Sequence, residues 1–297
     1  MSEFVAGEVA TLEDTRYRNG IWWLASYPKS GSTWIRMFVN CALTRFPVNL
    51  NAQYQYCLGD NFGNLYQASS SMPLNTMGVR EVIYLRPAAL INALSLASGR
   101  DVCLKTHHAN EAIEGIQMCP DKLSKGALYV VRDPRDVVLS FAKHMGQTVD
   151  EAVASMCNEN MTIRPRNNLL FHYLSSWSQH VRSWLTDENP IKTACVRYED
   201  MLKDPDRVFW DILAALGLRE HVDEVSYRFA LEQTRFENLQ TVEQTTGFRE
   251  LGGKQTKFFN VGKSGRWRSE LTESQVACIE QQHAEMMQEL GYELVTR

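Results

Sequence analysis

Near one end of the chain, Tyr27-Pro28-Lys29-Ser30-Gly31-Ser32-Thr33-Trp34 gathers small residues, hydroxyls and a lysine. Small residues let successive backbone N–H groups converge on an anion, and a helix starting there adds its positive end. Lys29 contributes a full charge, and the Ser and Thr hydroxyls supply further donors. The Walker pattern GxxxxGK[ST] is absent, because the lysine precedes the glycine, which disfavours an ordinary nucleoside-triphosphate hydrolase. A second group, Lys105-Thr106-His107-His108, sets two imidazoles beside a cation. Imidazole, with a reference pKa of about 6.5, is suited to take a proton at neutral pH. Adjacent strand-end residues point to opposite sides, so only one of the two histidines should face a ligand. In a third group, Arg132 can give paired charge-assisted bonds to a phosphate, and Ser140, eight positions on, a hydroxyl donor.

The elements that must position these groups are short apolar runs followed by helical stretches. Ile21–Tyr27, Asp101–Lys105, Ala127–Arg132 and Lys192–Arg197 read as strands. Thr33–Leu43, Pro134–His144, Leu169–Leu185, Asp206–Leu216 and Thr272–Leu290 read as helices. Alternation of this kind predicts an α/β single domain: a mostly parallel central sheet with helices on both faces and a P-loop-like strand–loop–helix. Ligands in such sheets lie beyond the carboxyl ends of the strands. Three of the four strands end in a basic residue or lead straight into one, which points to an anion. The domain is expected to span 1–297, with 1–20 as an extension. Polar stretches at 49–77, 145–168 and 245–263 are expected to be long loops around the acceptor and cofactor sites. They carry Tyr54, Tyr56, Phe62, Tyr66 and Phe248, which would suit an aromatic or amphipathic acceptor.

A net charge of −4 gives no global footprint of a nucleic-acid or anionic-membrane binder, though a pocket needs only a few cations. Seven cysteines without a Cys-x-x-Cys pair argue against both a zinc site and a disulfide framework. The first twenty residues lack the basic and apolar regions of a signal peptide, and no apolar run approaches membrane-spanning length. These features fit a cytoplasmic protein. His144, His172, His180, His221 and His283 read by default as surface or packing residues, and Trp177, Trp184, Phe209 and Trp210 as core.

YPKSGSTW resembles the 5′-phosphosulfate loop of the cytosolic-type sulfotransferases, commonly YPKSGTTW, and Tyr129–Ser140 is similar to their 3′-phosphate segment. The resemblance runs in order from about Ile21 to Trp267. It includes Lys105-Thr106-His107, like the family's catalytic KTH, Tyr198-Glu199-Asp200-Met201, like its YEDM, and Thr234-Arg235-Phe236, like its TxF. It implies 3′-phosphoadenosine-5′-phosphosulfate (PAPS) as sulfuryl donor, 3′-phosphoadenosine-5′-phosphate (PAP) as product, and a small-molecule hydroxyl acceptor, a phenol or alcohol. By the same resemblance Lys29, Ser30, Gly31, Ser32 and Thr33 cradle the 5′-phosphate, and Trp34 stacks on adenine. Arg132 and Ser140 take the 3′-phosphate, and Tyr198, Thr234 and Phe236 lie near the base. His107 is the implied general base, and Lys29 and Lys105 stabilise charge in an in-line transfer that requires no metal.

One departure stands out. The family's RKGxxGDW aligns with Asn260-Val261-Gly262-Lys263-Ser264-Gly265-Arg266-Trp267, which keeps the glycine spacing and Trp267 but loses the leading basic pair. Backbone donors at Val261 and Gly262 remain, and Lys263, Lys257 or Lys254 could restore charge. The family's dimer motif is poorly matched at Arg268–Ala277, so a homodimer is left open. A P-loop-type nucleotide or small-molecule kinase, a carbohydrate-directed sulfotransferase and a non-catalytic nucleotide binder are the alternatives. The kinase predicts a lysine after the loop glycine, and the non-catalytic binder predicts loss of Lys29, Lys105 or His107.

Overall fold

The computed structural model describes residues 19–52, 56–165, 169–248, 250, 257–259 and 261–296. In chain order the elements are β1 (Ile21–Ser26), α1 (Ser32–Thr44), β2 (Cys57–Gly59), α2 (Gly63–Gln67), α3 (Val79–Leu96), β3 (Val102–Thr106), β4 (Ala112–Ile113), β5 (Ile116–Gln117) and β6 (Ser124–Val131). There follow α4 (Pro134–Met145), α5 (Val149–Met156), β7 (Thr162–Ile163), β8 (His172–Tyr173), α6 (Trp177–Leu185), β9 (Thr193–Arg197), α7 (Tyr198–Lys203) and α8 (Pro205–Ala215). α9 (Glu224–Gln233), α10 (Phe236–Thr246), α11 (Trp267–Glu270) and α12 (Glu273–Glu289) complete the chain.

The central sheet has the order β2-β3-β1-β6-β9, with every pair parallel. β1 lies in the middle, Ala25 opposite Thr106 on one side and Tyr129 on the other. Side chains alternate across a strand, and the core divides accordingly. Trp23, Ala25, Tyr27, Tyr129 and Val131 join a cluster with Phe141, Trp177 and Trp184. Leu24, Leu128 and Val130 face the other way, into Ile35, Phe38, Phe209 and Tyr227. Both faces are covered, so the strands read as continuous apolar runs rather than alternating ones.

The four expected strands are all present. The fifth, β2, lies within 49–77, which also holds α2, so that stretch is not simply a loop. Likewise 145–168 contains α5, held at its start by a capping box between Thr148 and Glu151. The helix expected over Leu169–Leu185 begins only at Trp177, after β8, with Ser176 as its cap. Asp133 caps α4, its carboxylate accepting from the Arg135 N–H, with Pro134 in the first turn.

Candidate active site

Because all five strands are parallel, their carboxyl ends share one edge, and each delivers a candidate group there. β1 ends in the loop before α1, β3 in Lys105 and His107, β6 in Arg132, and β9 in Tyr198. β2 ends at Asp60, whose N–H continues the ladder to the Lys105 carbonyl at 2.9 Å. A cavity of about 970 Å³ opens at this edge. Lys29, Gly31, Ser32, Thr33, Trp34, Lys105, His107, Arg132, Ser140, Tyr198, Thr234, Phe236, Val261, Gly262 and Lys263 all line it. Ser30 is the exception: it is fully buried behind the loop, its hydroxyl without a partner.

The loop owes its shape to two residues with positive φ, Lys29 at 72° and Gly31 at 115°. A Cβ on Gly31 would also sit 2.7 Å from the Tyr198 ring, so only glycine fits. Tyr198 and Trp34 meet edge to face at 6.2 Å, and Trp34 rests on Phe209. Gly262 is constrained in the same way, with φ 63° and the Phe236 ring 2.4 Å from where a Cβ would lie. The C-terminal segment is tied to α4, since Asp136 accepts from the N–H groups of Gly265 and Trp267 at 2.6 and 3.1 Å. Arg132 reaches the same segment, donating to the Lys263 carbonyl at 3.0 Å and lying 4.4 Å from the Tyr198 ring centroid.

The cavity is strongly cationic although the whole chain is acidic. Among the described residues, seven lysines and arginines line it against a single carboxylate, Glu250. Lys29 Nζ is buried without a hydrogen-bond partner, its ammonium 3.6 Å from the Phe258 ring centroid. Burial, with Arg132 and Lys105 adding repulsion, pulls its pKa down to about 7. Burial also pulls Lys105 to about 8, helped by Arg36 and opposed by Glu250. Arg132 Nε is likewise buried and unpartnered. Sealed donors without acceptors are costly unless an anion completes them. Orphaned cationic donors on Lys29 and Arg132, a glycine cradle and a helix N-terminus together suit a phosphate-bearing nucleotide.

His107 and His108 divide as strand alternation requires. His107 lines the cavity, and its Nδ1 lies 2.7 Å from the Ser26 carbonyl oxygen. A carbonyl can only accept, so Nδ1 carries the proton and Nε2 keeps its lone pair. Burial first, then Lys105 and His172, hold this imidazole well below its usual pKa, hence neutral. His180 fixes the backbone beneath it: Nε2 donates to the His107 carbonyl at 3.1 Å, while Nδ1 accepts from the Tyr129 hydroxyl at 2.8 Å. His108 is buried on the other side, its Nδ1 accepting from the Tyr173 N–H at 3.1 Å.

Several expectations need correcting. His144 and His172 line the cavity rather than serving as surface or packing residues. Of the aromatic residues expected near an acceptor, four are among the described residues, and of those Phe62 alone lines it. Tyr66 is buried against Arg86, Phe248 packs on Phe258, Tyr56 is turned outward, and Tyr54 lies outside the described residues. Among the three candidate lysines for the missing basic pair, Lys263 lines the cavity and is joined there by Arg266. Lys257 is exposed and Lys254 lies outside the described residues. Arg36, buried on α1 and paired with Glu250 at 2.8 Å, was not foreseen, because on sequence it is one charge within an apolar helix.

Residues 21–291 match the family model of the sulfotransferase domain. The chain belongs to the sulfotransferase family. It is 25% identical to cytosolic sulfotransferase 13 of Arabidopsis thaliana over 84% of this chain and 71% of that one. It is 24% identical to the amine sulfotransferase of Oryctolagus cuniculus, over 89% and 79%. The mouse sulfotransferase SULT7A1 complexed with PAP shares the fold at a TM-score of 0.55, with 17% identity over 91% of this chain and 85% of that one. Retinol dehydratase in complex with retinol and PAP does so at 0.58, with 18% identity over 93% and 83%. This sulfotransferase is therefore an enzyme. No helix among its described residues is long and apolar enough to cross a membrane.

Proposed function

We propose that this sulfotransferase moves the sulfuryl group of PAPS to a hydroxyl of a small apolar acceptor. The observation that carries the reading is the convergence of the unpartnered buried ammonium of Lys29, the buried Arg132 guanidinium whose Nε has no acceptor, and a neutral histidine in one cavity. About 970 Å³ lies near the upper end of ordinary ligand pockets. Such a volume suits a nucleotide and an acceptor bound together. PAP in the solved relatives supports the donor, retinol in one of them supports an apolar alcohol, and the cytosolic relatives support a cytoplasmic enzyme.

When bound, PAPS supplies an activated sulfuryl group and departs as PAP. The loop from Lys29 to Thr33 holds the 5′-phosphate, and Arg132 with Ser140 the 3′-phosphate. Lys263 and Arg266, on either side of Gly265, supply cavity charge in place of the family's basic pair, whose own positions are taken by Asn260 and Val261. Trp34, Tyr198, Thr234 and Phe236 enclose the base. The hydroxyl of Thr234 donates to the Ala230 carbonyl at 2.8 Å, so toward a ligand it can only accept. His107 Nε2 takes the acceptor's proton as its oxygen bonds to sulfur and the sulfur–phosphate oxygen bond breaks. Lys29 offsets charge on the departing oxygen, and Lys105 offsets charge on the sulfuryl oxygens. The protein's role is positioning and electrostatics, so no step of this scheme calls for a metal.

Calorimetric titration of the metal-free protein with PAP, using ATP as comparison, tests the reading. Micromolar or tighter binding of PAP with much weaker ATP is expected, and His107→Ala should keep that affinity while losing turnover. Tighter binding of ATP, or binding only with magnesium, would favour a kinase.

A further inference from the structure

The cavity contains a second imidazole beside His107. His172, in β8, lines it, and the two rings meet edge to face with centroids 5.5 Å apart. Behind His172 stands Asp60, at the end of β2. Its Oδ2 accepts from Arg86 Nη2 at 2.6 Å, while Oδ1 faces His172 Nε2 at 3.7 Å. Both of these facing atoms are buried and lack a hydrogen-bond partner. Burial opposes ionisation of Asp60, yet the Arg86 guanidinium beside it holds the carboxyl well below the usual range.

A buried carboxylate oxygen and a buried ring nitrogen satisfy each other when the nitrogen carries the proton and a small tilt closes the gap. His172 is then the Nε2–H tautomer, and Nδ1 keeps the lone pair. In His107 the Ser26 carbonyl takes the Nδ1 proton, so there Nε2 keeps it. Burial lowers the pKa of His172, with Asp60 opposing and Lys105 and Arg86 assisting. Two neutral imidazoles in contact therefore each offer the cavity an acceptor and no donor. His108, the remaining ring against His172, does not complete a cation site with Asp60. The Tyr173 N–H occupies its Nδ1, which sends its proton to Nε2, and Arg86 holds the other oxygen of Asp60.

We propose that the preferred acceptor carries two adjacent hydroxyls, a catechol or vicinal diol, one delivered to His107 Nε2 and the other donating to His172 Nδ1, with Asp60 positioning His172. The proposal rests on the sulfotransferase reading of the cavity with His107 as base. Neighbouring hydroxyls with one hydrogen bond of about 2.7–2.8 Å to each ring can bridge centroids 5.5 Å apart. Only the first hydroxyl reacts: its oxygen bonds to sulfur, the sulfur–phosphate oxygen bond breaks and its proton passes to His107. The second keeps its proton. An acceptor without that second donor leaves the lone pair of His172 buried and unpaired, which is a strong ground for rejection.

The test is calorimetric binding of catechol and of 2-methoxyphenol, which keeps one hydroxyl and blocks the other, to the PAP-loaded protein. Catechol is expected to bind at least about 10-fold more tightly. His172→Phe should bring the two within about twofold through loss of catechol affinity, and His172→Gln, which keeps an acceptor atom, should recover part of the difference. Asp60→Asn should raise the catechol Kd and leave that of 2-methoxyphenol unchanged. Because Asp60 is buried against Arg86, ring ¹⁵N spectra of the unaltered protein provide a reading that needs no variant. His172 Nδ1 should be unprotonated in the PAP complex, and its resonance should move on adding catechol. Equal affinities, no catechol binding at millimolar concentration, or a protonated Nδ1 would each overturn the proposal. Failure of PAP itself to bind would instead overturn the reading beneath it.

Discussion

Lys29 and Lys105 are unusual lysines because the cavity walls give their charge so little to pair with. Burial brings them to about 7 and about 8, so near neutral pH each is part neutral without ligand. Phosphate oxygens favour the charged form, so nucleotide binding should raise both pKa values and draw protons from solution. The sign follows from linkage: where the complex binds more protons than the free protein, affinity falls as pH rises. Above about pH 7 the ionisation of a phosphate monoester, with a second pKa near 6, is essentially complete and does not obscure the trend. PAP affinity should therefore drop between about pH 7 and pH 9. Titrations at pH 8 in buffers of different ionisation enthalpy should show net proton uptake. An affinity independent of pH over that range would mean that both lysines are already charged in the free protein.

The loop before α1 and the segment around Gly262 act as elements, and each depends on a glycine whose missing Cβ is occupied by an aromatic ring. Gly31→Ala would drive a methyl into Tyr198 at a φ of 115°, and Gly262→Ala would drive one into Phe236. Both variants should weaken PAP by at least about 10-fold, roughly the cost of one charge-assisted contact, and should lower the melting temperature. Gly146 at the end of α4 is the control, with φ 71° and nothing within 4 Å of the place an added methyl would take. Gly146→Ala should cost about 1 kcal/mol of stability and leave PAP affinity intact, as melting and calorimetry on the same samples would show. This contrast also marks what sequence can convey. The Lys29–Trp34 loop was legible because its residue types are those that an anion cradle needs. β2 was not, because Cys57-Leu58-Gly59 lies in a polar stretch and becomes a strand only through its pairing with β3. α3 was missed behind the interior Pro87, although its Arg86 anchors Asp60. His172 sits in a two-residue strand, whose contacts with Asp60 and His107 come from tertiary packing alone.

Across the whole molecule, charge is segregated: the chain carries a net −4, yet its broad cavity gathers cations. Concentrating them at the strand ends helps to bind a polyanion and weakens the ligand-free fold, the usual conflict between a functional site and stability. The four long strands reveal this edge in the sequence, since each apolar run stops near a basic or aromatic residue that later lines or flanks the site. The depth at which those residues are buried is not visible there, because it depends on α1, α10 and the 257–259 segment closing over them. Lys29 bears the conflict most directly, with its buried, unpartnered ammonium. Lys29→Met keeps the bulk and removes the charge. It should stabilise the ligand-free protein by about 1–3 kcal/mol, the cost of leaving a buried polar group unsatisfied, and most strongly below about pH 7, where the native lysine is held protonated. In the unaltered protein, PAP at 100 times its Kd should add about 2.7 kcal/mol of stability. In Lys29→Met, the same PAP concentration should add much less. Thermal melts with and without PAP would show both effects, and a variant less stable than the original without PAP would mean that the lysine supports the fold rather than burdening it.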